Sequence, residues 1–228
     1  IVWRGDIDGG DTWASEEGSD TLRILGGTGV DVFNVGQDGS TLVISGTTGF
    51  IRLEGDPTGF AAGAERVEIL GNDGNDTINI TDINNVGFFA LVVDGGDGND
   101  TVDGEDALIG NVPILITTGD GDDTIIGTAG VDTINSGAGD DSIISRAGDD
   151  IITAGTGDDF IEADGGNDLI AGEGGNDTIF GGNGNDTIDG SFGNDSILAG
   201  DGNDSVTAGF GNDFVLGDFG NDILEGMA

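Results

Sequence analysis

Aliphatic side chains recur every nine residues over the second half of the chain, always two positions after an Asp. Between residues 118 and 226 these positions are Ile125, Ile134, Ile143, Ile152, Ile161, Ile170, Ile179, Ile188, Ile197, Val206, Val215 and Leu224. A glycine-rich polar segment separates each aliphatic residue from the next, with a Gly two positions before every Asp. This alternation predicts very short strands, each with one inward-facing branched side chain, joined by tight loops.

The nine-residue unit combines one loop with one strand. Residues 181–189, with the sequence GGNGNDTID, match the form G-G-x-G-x-D-x-U-x at every fixed position, where U is aliphatic. Glycine allows the positive φ and close backbone approach of a tight loop, and Asn tolerates the same region. Two units therefore make one 18-residue coil with two strands and two loops, and odd and even units lie on opposite sheets. We predict an all-β, right-handed parallel β-helix or β-roll solenoid.

The sixth position of the unit carries the candidate metal ligands. Upstream of the regular array, residues 26–34, 71–79 and 95–103 are further copies of the unit. Carboxylates that recur at one loop position are suited to binding hard cations. The predicted metal-binding residues are Asp31, Asp76, Asp100, Asp123, Asp132, Asp141, Asp150, Asp159, Asp168, Asp177, Asp186, Asp195, Asp204, Asp213 and Asp222.

The first half of the chain is less regular. Its loops are more widely spaced, and branched or aromatic stretches bounded by Gly, at residues 42–45, 66–70, 88–93 and 113–117, predict strands. We interpret residues 1–117 as irregular β-helix coils of roughly 20 to 25 residues, in which one loop of each coil keeps the metal motif. Residues 118–228 form the regular array of twelve units. We place a soft boundary between them, without a linker.

Composition restricts the metal and the chemistry. The chain has 45 acidic residues against five Arg, with no Lys, His or Cys, and a net charge of -40. Such a chain repels nucleic acid and anionic membranes and attracts cations. Without imidazole or thiolate ligands only oxygen remains, which favours calcium and then magnesium.

Nothing in the sequence predicts an enzyme or a membrane protein. Without His or Lys there is no side chain to activate a Ser or Thr nucleophile. A pair of carboxylates could in principle serve a glycosidase, but calcium binding and solvated charge account for these residues better. No apolar run approaches the length of a transmembrane helix, so we expect no membrane insertion.

Residues 118–226 resemble the RTX (repeats-in-toxin) nonapeptide arrays of proteins exported by Gram-negative bacteria. The resemblance implies a β-roll in which each calcium ion lies between loops two repeats apart, so that Asp123 shares an ion with the Asp141 loop and Asp132 with the Asp150 loop. Loop carbonyl groups would supply the other ligands. About ten ions would then fit the regular array. Val131 and Arg146 depart from the motif, and the charge of Arg146 is expected to weaken its neighbouring site.

Calcium is expected to drive folding. Burying one Ile per unit yields roughly 1.5 to 3 kcal/mol, whereas ordering nine residues costs about 1 to 2 kcal/mol each for the backbone alone. Calcium bound only by the folded chain removes the carboxylate repulsion and adds its binding free energy to folding. An affinity on the order of 10⁻⁴ to 10⁻³ M, as in extracellular calcium modules, predicts a chain that folds outside the cell. The resemblance implies type I secretion and an extracellular or cell-surface location.

The outward-facing ninth position predicts an interface. On odd-numbered units this position is mostly apolar, whereas on even-numbered units it is mostly polar or small. A contiguous apolar stripe on one face indicates self-association or packing by the rest of a longer chain. The residues of this stripe are Ile126, Ile144, Phe180, Leu198 and Leu216.

Two functions remain open. The first is a calcium-binding structural solenoid of a secreted or cell-surface bacterial protein, such as an adhesin, a surface-layer protein or an extracellular filament. The second is a non-catalytic RTX module of a secreted enzyme, such as a polysaccharide-modifying enzyme, lipase or protease. The irregular coils continue the solenoid where an enzyme would begin, which favours the structural function.

Overall fold

The chain forms β-strands linked by turns and bends. The computed structural model describes residues 11–13, 21–26, 29, 31–38, 41–46, 49–53, 66–81, 90–105 and 114–227, and these residues include no helix. The strands of the first half are β1 (Asp11–Trp13), β2 (Thr21–Leu25), β3 (Val32–Asp38), β4 (Thr41–Gly46), β5 (Gly49–Leu53), β6 (Arg66–Asp73), β7 (Thr77–Ile80), β8 (Ala90–Asp97), β9 (Thr101–Asp103) and β10 (Ile114–Asp120). Those of the second half are β11 (Thr124–Ile126), β12 (Asp132–Ala138), β13 (Ser142–Ile144), β14 (Ile151–Thr156), β15 (Phe160–Glu162), β16 (Leu169–Gly174), β17 (Thr178–Asn183), β18 (Thr187–Asp189), β19 (Ser196–Asp201), β20 (Ser205–Phe210), β21 (Phe214–Phe219) and β22 (Ile223–Met227).

Two sheets face each other across one core. Sheet I has the strand order β1-β5-β4-β3-β7-β9-β11-β13-β15-β17-β19-β21, and sheet II has the order β2-β6-β8-β10-β12-β14-β16-β18-β20-β22. From β6 onward, successive strands alternate between the sheets and pair in parallel with the strand one coil away. This confirms the predicted all-β roll, with odd and even units on opposite sheets.

Equivalent positions of successive coils pair directly. Ile125 pairs with Ile143, and Ile134 pairs with Ile152, so the aliphatic residues stack in two rows inside the roll. Several strands are longer than the predicted three residues. In β14, for example, the extended backbone continues into the next loop, where Gly155 pairs with Gly137. The parallel ladder therefore extends past the predicted strand into the first glycine positions.

The irregular coils follow the same plan. Residues 42–45 lie in β4 and residues 66–70 in β6, as predicted, and the described parts of two further predicted strands, residues 90–93 and 114–117, lie in β8 and β10. Residues 88, 89 and 113 lie outside the described part of the chain. Strand β10 pairs with β8 on one side and with β12 on the other, and it spans the position of the predicted boundary.

One segment departs from the simple coil. Strands β3, β4 and β5 pair antiparallel, with Asp38 opposite Thr41 and Gly46 opposite Gly49. This meander extends sheet I and lies within the 45-residue separation of Asp31 and Asp76. Two residues separate β3 from β4, which is the length of the tightest hairpin connections, so the chain can reverse here instead of crossing to sheet II.

The core is a single narrow row of branched side chains from each sheet. The inward aliphatic residue is buried in every unit from Ile125 to Val206. Burial decreases at the C-terminal end of the roll, where Val215 is partly buried and Leu224 is 47% exposed. A search of the described residues finds no helix long and apolar enough to cross a membrane.

Candidate metal centre

The glycine-rich loops stack in two columns, one on each side of the core. Loops of the first column lead from sheet II to sheet I, and loops of the second column lead back from sheet I to sheet II. The first column contains the loops of Asp31, Asp76, Asp100, Asp123, Asp141, Asp159, Asp177, Asp195 and Asp213. The second column contains those of Asp132, Asp150, Asp168, Asp186, Asp204 and Asp222. All predicted metal-binding Asp residues therefore lie in these two columns.

One carboxylate oxygen of each of these residues, except the first in each column, binds the backbone of the preceding loop. The N–H of Asp123 donates to Oδ1 of Asp141 at 2.8 Å, and the N–H of Asp141 donates to Oδ1 of Asp159 at 2.8 Å. The irregular coils make the same contact: the N–H groups of Asp31, Asp76 and Asp100 donate to the next Asp at 2.7, 2.8 and 2.7 Å. Coils of different length thus bring their loops into the same register.

The other carboxylate oxygen is buried without a hydrogen-bond partner. An oxygen in this state carries the full cost of desolvation unless a cation compensates it. This unpartnered oxygen is Oδ2 of Asp76, Asp100, Asp123, Asp141, Asp150, Asp159, Asp168, Asp177, Asp186, Asp195 and Asp204. The regular repetition of this feature distinguishes it from a local packing defect.

Burial makes the charged form of these carboxyls unfavourable. Desolvation is the largest cause, and it raises the pKa of Asp100 and Asp123 to about 6 and that of Asp159 and Asp168 to about 7. The buried Asp carboxylates of one column form a ladder, and the neighbouring carboxylates of this ladder raise these pKa values further. The N–H donated by the preceding loop lowers them. A cation between the loops would therefore stabilise the charged form of these carboxylates.

The loop backbone contributes a second set of oxygens. The fourth loop position is Gly, and its carbonyl oxygen points at the same position of the next loop. A Cβ added at Gly98 would lie 2.1 Å from the carbonyl oxygen of Gly74, and one added at Gly220 would lie 1.3 Å from that of Gly202. The backbone hydrogen bonds that join successive loops use other carbonyl groups, such as those of Asp97 and Asp120. The fourth-position oxygens are thus available to a cation between the loops.

A further ladder on the outside of the loops was not predicted. At the fifth position, the N–H of Asp140 donates to Oδ1 of Asp122 at 3.1 Å, and the N–H of Asn176 donates to Oδ1 of Asp158 at 2.7 Å. These side chains are exposed and reach the following loop, whereas the buried carboxylates reach the preceding one. The frequent Asn or Asp at the fifth position was the signal for this ladder. Its stacked amides and carboxylates hold successive loops together without entering the metal site.

Hydroxyl groups at the first loop position are another feature that sequence reasoning missed. The hydroxyl groups of Thr118, Ser136 and Ser145 are fully buried and donate to the first-position carbonyl group of the next coil. Burial raises the pKa of the Asp five residues on in each loop, and the neighbouring hydroxyl group partly offsets that rise. These loops thus use a polar side chain where most others have Gly or Ala.

The donor set fits calcium. Every group is oxygen, from one carboxylate per gap and from main-chain carbonyls, which is the chemistry of a hard cation. Among the described residues, no three carboxylate, imidazole or thiolate side chains converge on one point, so a site needs the loop carbonyls. The residues that would hold calcium in a gap are the Asp of the downstream loop and the glycine-rich backbone of the upstream loop.

Comparison with known proteins identifies the repeat. A family model described as the RTX calcium-binding nonapeptide repeat (4 copies) matches residues 60–79, residues 92–107 and, in overlapping segments, residues 117–224. The first two segments contain Asp76 and Asp100, so the irregular coils carry the same motif as the regular array. No curated protein matches the sequence significantly. Because the matched segments cover more than half of its residues, the chain belongs to the RTX calcium-binding nonapeptide repeat family.

Proposed function

We propose that this calcium-binding β-roll is a structural solenoid of a secreted or cell-surface bacterial protein, such as an adhesin, a surface-layer protein or an extracellular filament, and that it has no catalytic activity. One observation carries the proposal: the first column of loops passes through the irregular coils and the regular array without a break, from Asp31 to Asp213. The described residues of both halves are therefore organised around the same stack of loops, as suits a rod-like element.

The electrostatics support calcium as the agent that folds the rod. Carboxylates stacked one strand spacing apart, about 4.8 Å, repel each other strongly when they are buried. Calcium between the loops would convert this repulsion into attraction and satisfy the unpartnered Oδ2 atoms. We assign about ten ions to the regular array and further ions to the gaps that end at Asp76, Asp100 and Asp123.

Folding that depends on calcium suits a protein that is exported unfolded. With an affinity on the order of 10⁻⁴ to 10⁻³ M, the chain would remain unfolded at low cytosolic calcium and fold outside the cell, after type I secretion. Far-UV circular dichroism at pH 8, with calcium and with EDTA, tests this: we expect β structure only with calcium. A chain that is equally β-rich in EDTA, or that binds calcium with nanomolar affinity by calorimetry, would contradict it.

The proposed rod associates through the outer face of sheet I. The stripe residues Ile126, Ile144, Phe180 and Leu198 are partly buried and Leu216 is 48% exposed, and the rings of Phe160 and Phe180 contact each other with centroids 5.7 Å apart. Contiguous exposed apolar surface of this kind is typical of interfaces. Sheet II also exposes Ile151 and Leu169, at the seventh unit position, so the difference between the two faces is smaller than the ninth position alone predicts.

Light scattering at millimolar calcium tests the association. Replacing Phe180, Leu198 and Leu216 with Asp should preserve calcium-dependent folding and abolish assembly, because these side chains are outside the core. The matched control replaces Ile151 and Leu169 with Asp on the opposite face, which should leave assembly unchanged. A protein that is monomeric before and after the triple substitution would show that the stripe is not an interface.

A further inference from the structure

The loop of Asp132, the first in the second column, is held together differently from the others. The backbone N–H of Thr128 donates to Oδ2 of Asp132 at 2.8 Å, and the Thr128 hydroxyl group lies 3.1 Å from both carboxylate oxygens. Asp132 is fully buried. Its Oδ2 is thus satisfied by the loop's own residue, whereas Oδ2 of Asp150, in the next loop of the column, is buried without a partner.

Thr128 also redirects the loop backbone. Its hydroxyl oxygen accepts the N–H of Gly130 at 3.2 Å. In the next loop of the column, the equivalent N–H, that of Gly148, donates to the carbonyl of Gly165 one coil downstream. Thr128 therefore binds both the fourth and the sixth positions of its own loop, and closes it internally.

The upstream side of this loop is packed against the protein's own backbone. Gly104 donates its N–H to the carbonyl of Ile126 at 2.8 Å, and a Cβ added at Gly104 would lie 3.0 Å from Cγ2 of Thr128. The guanidinium group of Arg146, from the next loop of the column, donates to the carbonyl of Glu105. The residues that flank the loop upstream are thus tied to it by Ile126, Thr128 and Arg146.

The two departures from the motif lie at this same end of the column. Val131 is 52% exposed at the fifth position, where the other loops of this column place Asn or Asp. Arg146 lies at the second position with a left-handed backbone conformation, φ of 80°, which Asp164 and Asp218 share at the same position of later loops. Thr128, Val131 and Arg146 therefore all lie at the start of the second column.

We propose that residues 127–132 are a cap that closes the start of the second calcium column, and that the Asp132 carboxylate is not a calcium ligand. The first ion of this column would then lie between the Asp132 and Asp150 loops. It would be held by Asp150 and by the backbone of residues 127–132. This inference rests on the calcium-binding function and revises the expectation that Asp132 is a metal ligand like the other ladder residues.

A structure determined from crystals grown in calcium, with the ions located by anomalous scattering, tests the cap directly. We expect an ion about 2.3 to 2.6 Å from the Asp150 carboxylate and none at that distance from Asp132. An ion coordinated by Asp132 would overturn the proposal.

Equilibrium dialysis with radiolabelled calcium provides a matched comparison in solution. Asp132→Asn keeps an oxygen acceptor for Thr128 and should bind as many ions as the wild type, whereas Asp150→Asn should bind at least one fewer. Equal losses in both variants would overturn the cap. No loss in either would instead show that the carboxylates do not bind calcium, and the cap would fall with the function. If Asp132→Asn fails to fold, Thr128→Val decides: an unchanged ion count supports the cap, and a lost ion overturns it.

Discussion

At the scale of the residue, the two oxygens of a ladder Asp have different tasks. Oδ1 of Asp159 accepts the N–H of Asp141 at 2.8 Å and so sets the distance between neighbouring loops, while its Oδ2 is buried without a partner. A buried carboxylate with one unsatisfied oxygen is costly when charged. The same side chain therefore holds the stack in register and creates the requirement for a cation.

The adjacent residues Asp158 and Asp159 allow the role of the buried carboxylate to be tested. Asp159 is buried with Oδ2 unpartnered, whereas Asp158 is exposed and its Oδ1 accepts the N–H of Asn176 at 2.7 Å. We expect Asp159→Asn to lose about one bound ion per chain and to need several-fold more calcium for folding, because ligand charge sets calcium affinity. Asp158→Asn should change neither quantity, since Asn occupies this position in later loops. Equal effects of the two substitutions in calcium titrations followed by circular dichroism would show that the buried carboxylate contributes no more to calcium binding than the exposed one.

A pair of neighbouring glycines tests the close approach of the loops. A Cβ at Gly166, where φ is 152°, would lie 1.6 Å from the carbonyl oxygen of Gly148, whereas the nearest atom to a Cβ at Gly165 is 3.9 Å away. Gly166→Ala should therefore destabilise the calcium-loaded roll by about 1 to 3 kcal/mol through backbone strain alone, and further through the overlap with the Gly148 carbonyl group. Gly165→Ala should change its stability by less than about 1 kcal/mol. Thermal unfolding in saturating calcium measures both, and similar melting temperatures would contradict the close packing of the fourth position.

The sequence identified the ladder residues but not their geometry. The repeat alone predicted the Asp at the sixth position of each unit, including Asp31, Asp76 and Asp100. The opposite roles of the two carboxylate oxygens, and the outer ladder of Asp122, Asp140 and their equivalents, depend on how loops of successive coils approach each other. The repeat indicates which loops stack on each other, but it does not reveal to which neighbouring loop each side-chain oxygen turns.

At the scale of the element, strand pairing follows the period of the sequence where that period is constant. Two nine-residue units per coil placed Ile125 opposite Ile143 and Ile134 opposite Ile152. The antiparallel meander of β3, β4 and β5 was not predicted, because its branched stretches read equally well as parallel strands. Its sequence signal is the Gly-Ser pair between Asp38 and Thr41, since Gly at the first position of a two-residue loop favours a hairpin.

Consecutive isoleucines of β14 test which face of a strand carries the stability. Ile152 is 1% exposed and Ile151 is 45% exposed. Ile152→Ala should cost about 2 to 5 kcal/mol, as expected for a buried Ile that leaves a cavity. Ile151→Ala should cost less than about 1 kcal/mol, since exposed substitutions seldom disturb packing. Chemical denaturation in saturating calcium compares the two, and a larger effect at Ile151 would show that the face assignment is wrong or that the outer face is covered.

At the scale of the whole molecule, the two columns differ in length. Among the described residues, the first extends from Asp31 to Asp213, and the second extends from Asp132 to Asp222. Spacings of 24 and 23 residues between Asp76, Asp100 and Asp123 hid the fact that these loops stack in the same register as the regular ones. The hydrogen bonds that join Asp76, Asp100 and Asp123 show that the greater length of these coils leaves the first column intact.

The stacked carboxyls also predict how the whole roll responds to pH without calcium. The folded-state pKa is raised to about 6 for Asp100, Asp123 and Asp177 and to about 7 for Asp159 and Asp168, from an ordinary value of 3.8, because burial disfavours the charge. The folded chain therefore binds more protons than the unfolded chain between about pH 4 and pH 7. Stability of the metal-free roll should be greatest at the acidic end and decline as pH rises through 6 and 7.

Circular dichroism in EDTA, from pH 5 to pH 8, measures this response. We expect β structure to be favoured at pH 5 and lost by pH 8, and calcium at pH 8 to restore it. A variant with Asp159→Asn and Asp168→Asn has two fewer buried charges, so its loss of structure should shift to higher pH in EDTA, although it binds calcium less well. A metal-free chain that gains β structure as the pH rises would show that the buried carboxylates are stabilised by something other than a proton or a metal ion.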